Sequence, residues 1–463
     1  MIQKENIAHC LHPCVPELAS AVRRSGGRAL VVGGFVRDAL LGRKSSDCDV
    51  ECFGIDGENL LRVLGEKFEL DLVGASFGVI KLKHLDIDVS LPRRETKLGL
   101  GHRAFSMEYD SSLTLEEASA RRDFTVNAVY ADPLTGEILD PWGGRADLER
   151  GILRHVSDHF REDPLRVLRG MQFVARFGLE PADETISLCR TMESEGLPSE
   201  RLLGEWTKLL VKGVRISSGL DFLRKVGWVR YYPELERLIG CRQDPQWHPE
   251  GDVWNHTLLC LDNFAAARAE ETERENLIVG LAVLCHDFGK PFTTRYDPKR
   301  RRLRSLGHDE AGVKPAREFL KRLTNEERIF KEVLPLVKLH MRPYSLWQNG
   351  CGDNAIRRLA AEVGRIDRLV RVEAADKGIE NGELPEFCRW LLDRAEKLRV
   401  ADSVPRAILQ GRDLISIGMK PGPDFGVLLA KAYEAQLDGL FSDHDGAMRY
   451  LARERQQDEP GGH

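Results

Sequence analysis

Over the amino-terminal third of the chain, apolar positions come in short runs whose period changes from one run to the next. Residues 29–32 are a continuous apolar run closed by Gly33-Gly34, and a helical pattern follows over residues 35–41. Residues 48–53 predict a strand and residues 58–68 a helix; residues 79–83 and 87–91, split by a short polar turn, predict a hairpin. This alternation predicts an α+β head with a mixed sheet. From Pro164 the period becomes 3.6: Leu165, Leu168, Phe173 and Phe177, then Leu202, Leu209 and Leu210, predict helices. A break rich in Pro, Asp and Gln falls at residues 240–251. A second helical block starts near His256 and is punctuated by Pro421-Gly422-Pro423. The expected division is a head over 1–150, a helical neck and body over 151–245, a second all-α domain over 246–400 and a helical tail over 401–463, with residues 459–463 disordered.

Length agrees with several domains, since 463 residues at ~150 per domain give about three. The chain is 42% hydrophobic and 30% charged, an ordinary composition for packed cores. The longest apolar stretch, residues 277–285, is far short of the ~20 residues of a membrane span. The first residues already carry charges, two His and two Pro, so no secretory signal is visible. Ten scattered Cys fit reduced thiols and a cytoplasmic location. One cluster, His9, Cys10, His12 and Cys14, has a metal-binding composition but only one short arm. The net charge of -5 excludes a chain basic throughout, and the densest basic run, Lys299, Arg300, Arg301, Arg302 and Arg304, reads as a solvated loop.

Candidate chemistry in the head is a carboxylate pair behind a glycine turn. If residues 48–53 are a strand, Asp47 and Asp49 share a face ~6.6 Å apart and can hold hard divalent cations together. Asp88, on the following hairpin, is a candidate third carboxylate. Gly33-Gly34 allows close backbone approach to an anion, and Arg37, one turn into the helix, is a candidate phosphate clamp. No G-K-[ST] follows the glycines, so this is not a Walker loop.

Gly33-Gly34-x-Val36-Arg37-Asp38 with Asp47-x-Asp49 resembles the signature of the tRNA nucleotidyltransferase and bacterial poly(A) polymerase family, class II enzymes with a head like that of DNA polymerase β. Further stretches resemble the family's motifs in order. Arg121-Arg122-Asp123-x-x-x-Asn127 resembles the one that contacts ribose and triphosphate, and Asp140-Pro141-x-Gly143-Gly144 the hinge to the neck. Glu162-Asp163-Pro164-Leu165-Arg166 resembles the base-reading motif, and Glu200-Arg201 with Glu205 and Lys208 the one supporting the neck. The resemblance implies Mg²⁺ on Asp47 and Asp49, a nucleotide site of Gly33, Gly34, Arg37, Arg122, Asp123, Asn127, Asp163 and Arg166, and a flexible loop over residues 92–105. Asp163-Pro164 is also what a helix start looks like. Cytosine and adenine both set an amino donor beside a ring-nitrogen acceptor, so a carboxylate with a guanidinium suits CTP and ATP.

The second half holds His256, then Cys285-His286-Asp287-Phe288-Gly289-Lys290, His308, His340 and Asp376. This order resembles the HD phosphohydrolase superfamily. The resemblance implies a divalent metal on His256, His286, Asp287 and Asp376, with His308 and His340 at positions that hold a second one. Nitrogen and oxygen ligation without Cys suits Mg, Mn, Co, Ni or Fe better than structural zinc. The implied function is template-independent addition of C and A to the tRNA 3′ end from CTP and ATP, with tRNA as partner and a phosphohydrolase appended. Addition of CC alone or A alone, a poly(A) polymerase, and a phosphohydrolase with a degenerate RNA-binding head are the alternatives.

Overall fold

The computed structural model describes residues 7, 11–45, 47–71, 79–97, 105–268, 271–379 and 383–458. His9, Cys10, residues 98–104 of the expected flexible loop, and residues 459–463 lie outside them. The chain divides into two compact units, one of Met1–Leu209 with Ser218–Tyr231 and one of Leu210–Ser217 with Tyr232–His463.

In the first unit the sheet is built from β1 (Arg28–Val32), β2 (Cys48–Phe53), β3 (Leu70–Asp71), β4 (Val79–Leu82) and β5 (Ile87–Ser90). A separate antiparallel pair, β6 (Arg93–Lys97) and β7 (Phe105–Tyr109), flanks residues 98–104, and β8 (Tyr130–Ala131) with β9 (Ile138–Leu139) completes the main sheet. The strand order is β3-β4-β5-β2-β1-β8-β9. It is mixed: β2 runs antiparallel to β1 and parallel to β5. Ala29, Leu30, Val31 and Val32 are all buried, which is why β1 reads as an unbroken apolar run rather than an alternating one. Asp56 starts the helix Gly57–Gly65 by accepting the Asn59 amide at 2.9 Å.

The glycine turn leads into α1 (Gly34–Leu40), and Gly33 has φ 81°, a left-handed backbone that favours glycine. At the start of the helix Gly144–Arg150, a Cβ on Gly144 would lie 2.0 Å from the Thr125 carbonyl oxygen, so only glycine fits there. Beyond it come α2 (Leu165–Phe177) and α3 (Ser199–Lys212), the helices expected from the 3.6 period.

The second unit is mostly helical. Its centre comprises α4 (Val253–Ala266), α5 (Glu273–Cys285), α6 (His308–Leu323), α7 (Glu327–Leu339) and α8 (Ile366–Lys377). Every residue of α5 from Asn276 to Cys285 is buried, so its apolar run is a core helix. The expectation of an all-helical block needs one correction. β10 (Thr294–Asp297) and β11 (Arg302–Ser305) form an antiparallel hairpin, and the basic run supplies its turn and second strand. The Asp297 carboxylate makes the turn by accepting the amides of Lys299 and Arg300 at 3.0 and 3.2 Å. The tail packs Leu414, Leu428, Phe441 and Leu451 into a cluster of their own. Among the described residues no helix is long and apolar enough to cross a membrane.

Candidate functional site

In the head, three carboxylates gather at one end of the sheet. The antiparallel register sets Asp49 opposite Val32, immediately before Gly33, and the parallel register sets Asp88 opposite Asp49. Asp47 lies two residues before Asp49 on the same strand approach and is exposed. A Cβ on Gly33 would lie 3.0 Å from Asp49 Oδ2 and 3.6 Å from Arg122 Nη1, so this glycine lets carboxylate and guanidinium close over the turn. The Asp49 carboxyl is pushed above the usual range, first by the protein packed around it, then by Asp47, Asp88 and Glu51, with Arg122 pulling the other way. Asp88 also pairs with Lys81 Nζ at 3.2 Å. Clustered hard oxygen donors with mutual repulsion fit a small divalent cation.

Beside them is a cavity of about 220 Å³ lined by Glu51, Arg93, Arg121, Arg122 and Arg166 among others. Two Arg166 nitrogens donate to the carbonyls of His159 and Arg121 at 2.6 and 2.5 Å, which fixes the plane of the guanidinium. The Asp163 carboxylate accepts the Leu165 amide at 3.1 Å and pairs with Arg201 at 2.7 Å. It therefore does start α2, as its sequence predicts, and is tethered from the neck side.

Two other expected nucleotide contacts are placed differently. Arg37 is only 5% exposed. Its nitrogens donate to Asp38 Oδ1 at 2.9 Å and to Asn127 Oδ1 at 2.7 Å, and its guanidinium lies 4.3 Å from the Phe177 ring centroid. Asp38 and Asn127 thus hold Arg37 against the turn, which it braces rather than standing free as the expected phosphate clamp. Asp123 accepts from the Phe124 amide, Asn127 Nδ2 and Arg169 at 2.6–2.9 Å. Burial opposes its ionisation, but Arg169 and Asn127 outweigh it and hold the carboxyl down at about 2. Asp123 thus fastens α2 to the head. At the amino terminus, His12 Nδ1 lies 2.9 Å from Cys14 Sγ.

In the second unit, five helices and their ends converge. His256 lies on α4, His286 and Asp287 just past α5, His308 at the start of α6, His340 just past α7 and Asp376 on α8. His256 Nε2 is 2.9 Å from Asp376 Oδ1 and 3.5 Å from Asp287 Oδ2. His308 Nε2 is 3.4 Å from Asp287 Oδ1 and 3.1 Å from His340 Nε2. Nδ1 of His286, His308 and His340 lies 2.7 Å from the carbonyls of Val283, Ser305 and Val337 respectively. A carbonyl only accepts, so each Nδ1 carries the proton and each Nε2 turns a lone pair to the centre. His286 Nε2 and Asp287 Oδ1 are buried without a hydrogen-bond partner, while Asp287 Oδ2 is met by the Lys290 ammonium at 2.7 Å. Facing lone pairs and an orphaned carboxylate oxygen are what a cation would satisfy. His340 is pushed down to about 3, by burial first and then by His286 and His308. A cavity of about 710 Å³ opens on this cluster, lined by Arg302, Arg304, Trp247 and Tyr344 among others.

Residues 29–154 match the Poly A polymerase head domain and residues 253–404 the HD domain. A Multifunctional CCA protein of Xanthomonas campestris is 34% identical over 422 residues, covering 87% of this chain and 96% of that protein. The chain belongs to the multifunctional CCA protein family. Among solved structures, the Bacillus stearothermophilus CCA-adding enzyme in complex with CTP aligns at TM-score 0.65 and 22% identity, over 97% of this chain and 100% of that one. The Thermotoga maritima CCA-adding enzyme complexed with tRNA aligns at TM-score 0.59 and 19% identity, over 97% and 98%. These two share the fold.

Against this family background, several residues at the sites escaped the sequence reading. Glu51 lies two positions after Asp49 and accepts from Tyr130 OH at 2.9 Å and pairs with Arg122 at 3.4 Å. The strand alternation that joins Asp47 to Asp49 would also have found it. Lys290 pairs with Asp287 Oδ2 at 2.7 Å and lies three residues after it, a helical spacing. Glu250 accepts from His256 Nδ1 at 2.7 Å, a carboxylate–histidine pair that orients the ring. It sits in the irregular 240–251 segment, where no period announces it. Cys260 Sγ lies 3.4 Å from His256 Nε2, one helical turn further along α4.

Proposed function

We propose that this chain adds C and A to the 3′ end of tRNA without a template, using CTP, ATP and Mg²⁺, and that its second unit is a metal-dependent phosphohydrolase. The proposed division is 1–150 head, 151–245 neck and body, 246–400 HD domain and 401–463 tail. The observation that carries the first activity is the pairing of Asp49 with Asp88 beside Gly33 and Arg122. The relatives' names and the CTP and tRNA complexes of the fold neighbours support the same reading.

Asp47 and Asp49, with Asp88 beside them, would hold the Mg²⁺ ions, which when bound supply charge neutralisation for attack of the RNA 3′-oxygen on the α-phosphorus and departure of pyrophosphate. The chain's own contribution is position and charge. Gly33 and Gly34 leave room for phosphate oxygens, and Arg122 faces the same space. The fixed Arg166 guanidinium donates, and Asp163 accepts, at the Watson–Crick edge of C or A, whose donor and acceptor order suits this pair and that of G or U does not. Asp123, Asn127 and Arg37 hold that pair in register with the carboxylates.

In the second unit, His256, His286, Asp287 and Asp376 would hold one divalent ion, and His308 and His340 a second. Such an ion acidifies a bound water beside a phosphoester. Arg302, whose Nε is buried without a hydrogen-bond partner, and Arg304 give the cavity positive charge for the phosphate.

The test is to incubate the purified protein with tRNA lacking its terminus, Mg²⁺ and each nucleotide, and to sequence the 3′ ends. Incorporation of C and A that disappears in Asp47→Ala is expected. No incorporation overturns the reading, and long A tails on unstructured RNA would make the chain a poly(A) polymerase.

A further inference from the structure

Cys260 stands one helical turn after His256 on α4, so the two side chains share a face. Its thiol is fully buried, yet it does not face apolar neighbours alone. Sγ lies 3.4 Å from His256 Nε2 and 4.0 Å from Asp376 Oδ1. Sγ, His256 Nε2, His286 Nε2 and one Asp376 carboxylate oxygen all lie within 4.8 Å of one another. Around a tetrahedral ion with bonds of about 2.0–2.3 Å, donor atoms lie roughly 3.3–3.8 Å apart. Their contacts of 2.9, 3.4 and 4.0 Å bracket that spacing. A second, independent observation points to a ligand at the same place: His286 Nε2 is buried, lone pair inward, without a hydrogen-bond partner.

Asp287, whose Oδ2 lies 3.3 Å from His286 Nε2, also groups through its carboxylate with His308 and His340 within the same limit. The two groups differ in chemistry. One offers two imidazoles, a carboxylate and a thiol; the other offers two imidazoles and a carboxylate.

We propose that Cys260 is a metal ligand, as thiolate, in the His256–His286–Asp376 group, and that this group takes a borderline transition-metal dication such as Zn²⁺, Co²⁺ or Fe²⁺ in preference to Mg²⁺. The proposal rests on reading the second unit as a metal centre. Magnesium prefers oxygen ligands and octahedral geometry, whereas thiolate selects softer ions. On binding, the Cys260 thiol loses its proton to solvent and its sulfur lone pair forms the bond to the metal, with no change of oxidation state.

The experiment uses the full chain with Cys10 and Cys14 replaced by Ser, stripped with a chelator and given one equivalent of Co²⁺. Expected are a thiolate-to-cobalt charge-transfer band in the near ultraviolet and a sulfur neighbour at about 2.3 Å in X-ray absorption. Cys260→Ser should keep the visible cobalt bands and lose the ultraviolet one; His286→Ala should lose most of both. The sulfur distance is measured on the parent chain, so it decides even if Cys260→Ser fails to fold. Cobalt bound through His286 with no sulfur neighbour overturns the proposal alone. A chain that takes up no cobalt, or binds it equally well in His286→Ala, overturns the metal-centre reading itself.

Discussion

Arg37 Nη1 donates to Asn127 Oδ1 at 2.7 Å, and this buried bond joins the glycine turn to the segment that follows Asp123. Arginine only donates and aspartate only accepts, so Asn127 can lie only one way round, with Nδ2 toward Asp123 at 2.9 Å. From Asp123 the line passes to Arg169 on α2 and on to Glu205 on α3. Motifs separated by more than a hundred residues in sequence are thus one polar chain in space.

Replacing Asn127 by Ala leaves a buried Arg37 donor without its acceptor and removes one of the two donors to Asp123 Oδ1, the Phe124 amide remaining. The expected cost is about 1–3 kcal/mol, seen as a lowered denaturant midpoint. An unchanged midpoint would show that the line carries no stability.

Asp123 also makes a pH prediction. Its carboxyl is held at about 2, below the ordinary ~3.9, because Arg169 and Asn127 outweigh burial. A depressed carboxyl contributes stability that is complete above the unfolded value and is lost as pH falls through the folded one. The stability gap between the native chain and Asp123→Asn should therefore be roughly 2–3 kcal/mol at neutral pH and shrink between about pH 4 and pH 2. A gap that stayed constant with pH would assign the effect to shape rather than charge.

Gly33→Ala and Asp88→Asn separate strain from charge at the carboxylate cluster. The alanine methyl would press on Asp49 Oδ2, 3.0 Å away, at a backbone φ of 81°. It should cost about 1–2 kcal/mol of stability as well as most of the nucleotide incorporation. Asp88→Asn keeps the volume and removes one charge from beside Asp49. It should lower incorporation, by roughly tenfold to a hundredfold for a loss of about 1.4–2.8 kcal/mol, while leaving the melting curve in place. Full activity in Asp88→Asn would remove Asp88 from the machinery.

Most of the architecture is legible because it follows local rules. The buried β1, the strand at 48–53 and the hairpin after it come from apolar spacing, and the carboxylate pair from strand alternation. What the sequence could not show depends on long-range register or on competition between partners. That Asp88 would lie opposite Asp49 required β5 to run parallel to β2. That Arg37 would brace rather than clamp depended on Asp38 and Asn127 reaching it first. The 299–304 run looked solvated because charge density alone says nothing of Asp297, whose carboxylate turns it into a hairpin. Cys260 was overlooked although it stands four residues after His256, because a single Cys in an apolar helix usually packs as a hydrophobe.

That hairpin supplies the last prediction. Arg302 and Arg304 lie on β11 at the cavity that opens on the histidine cluster. Arg302 Nε is buried without a hydrogen-bond partner, whereas Arg304 Nη1 pairs with Asp297 at 3.3 Å. A guanidinium with a donor still unpaired binds an anion more readily than one already held by a carboxylate. For hydrolysis of a 2′,3′-cyclic nucleotide, Arg302→Ala should raise KM with little change in kcat. The rise should be about tenfold or more, as expected for a charged hydrogen bond worth roughly 1.5–3 kcal/mol. Arg304→Ala should do less, and neither should alter nucleotide addition to tRNA. If Arg302→Ala instead lowered kcat at unchanged KM, the arginine would be acting on the transition state alone, and the role of phosphate capture would be wrong.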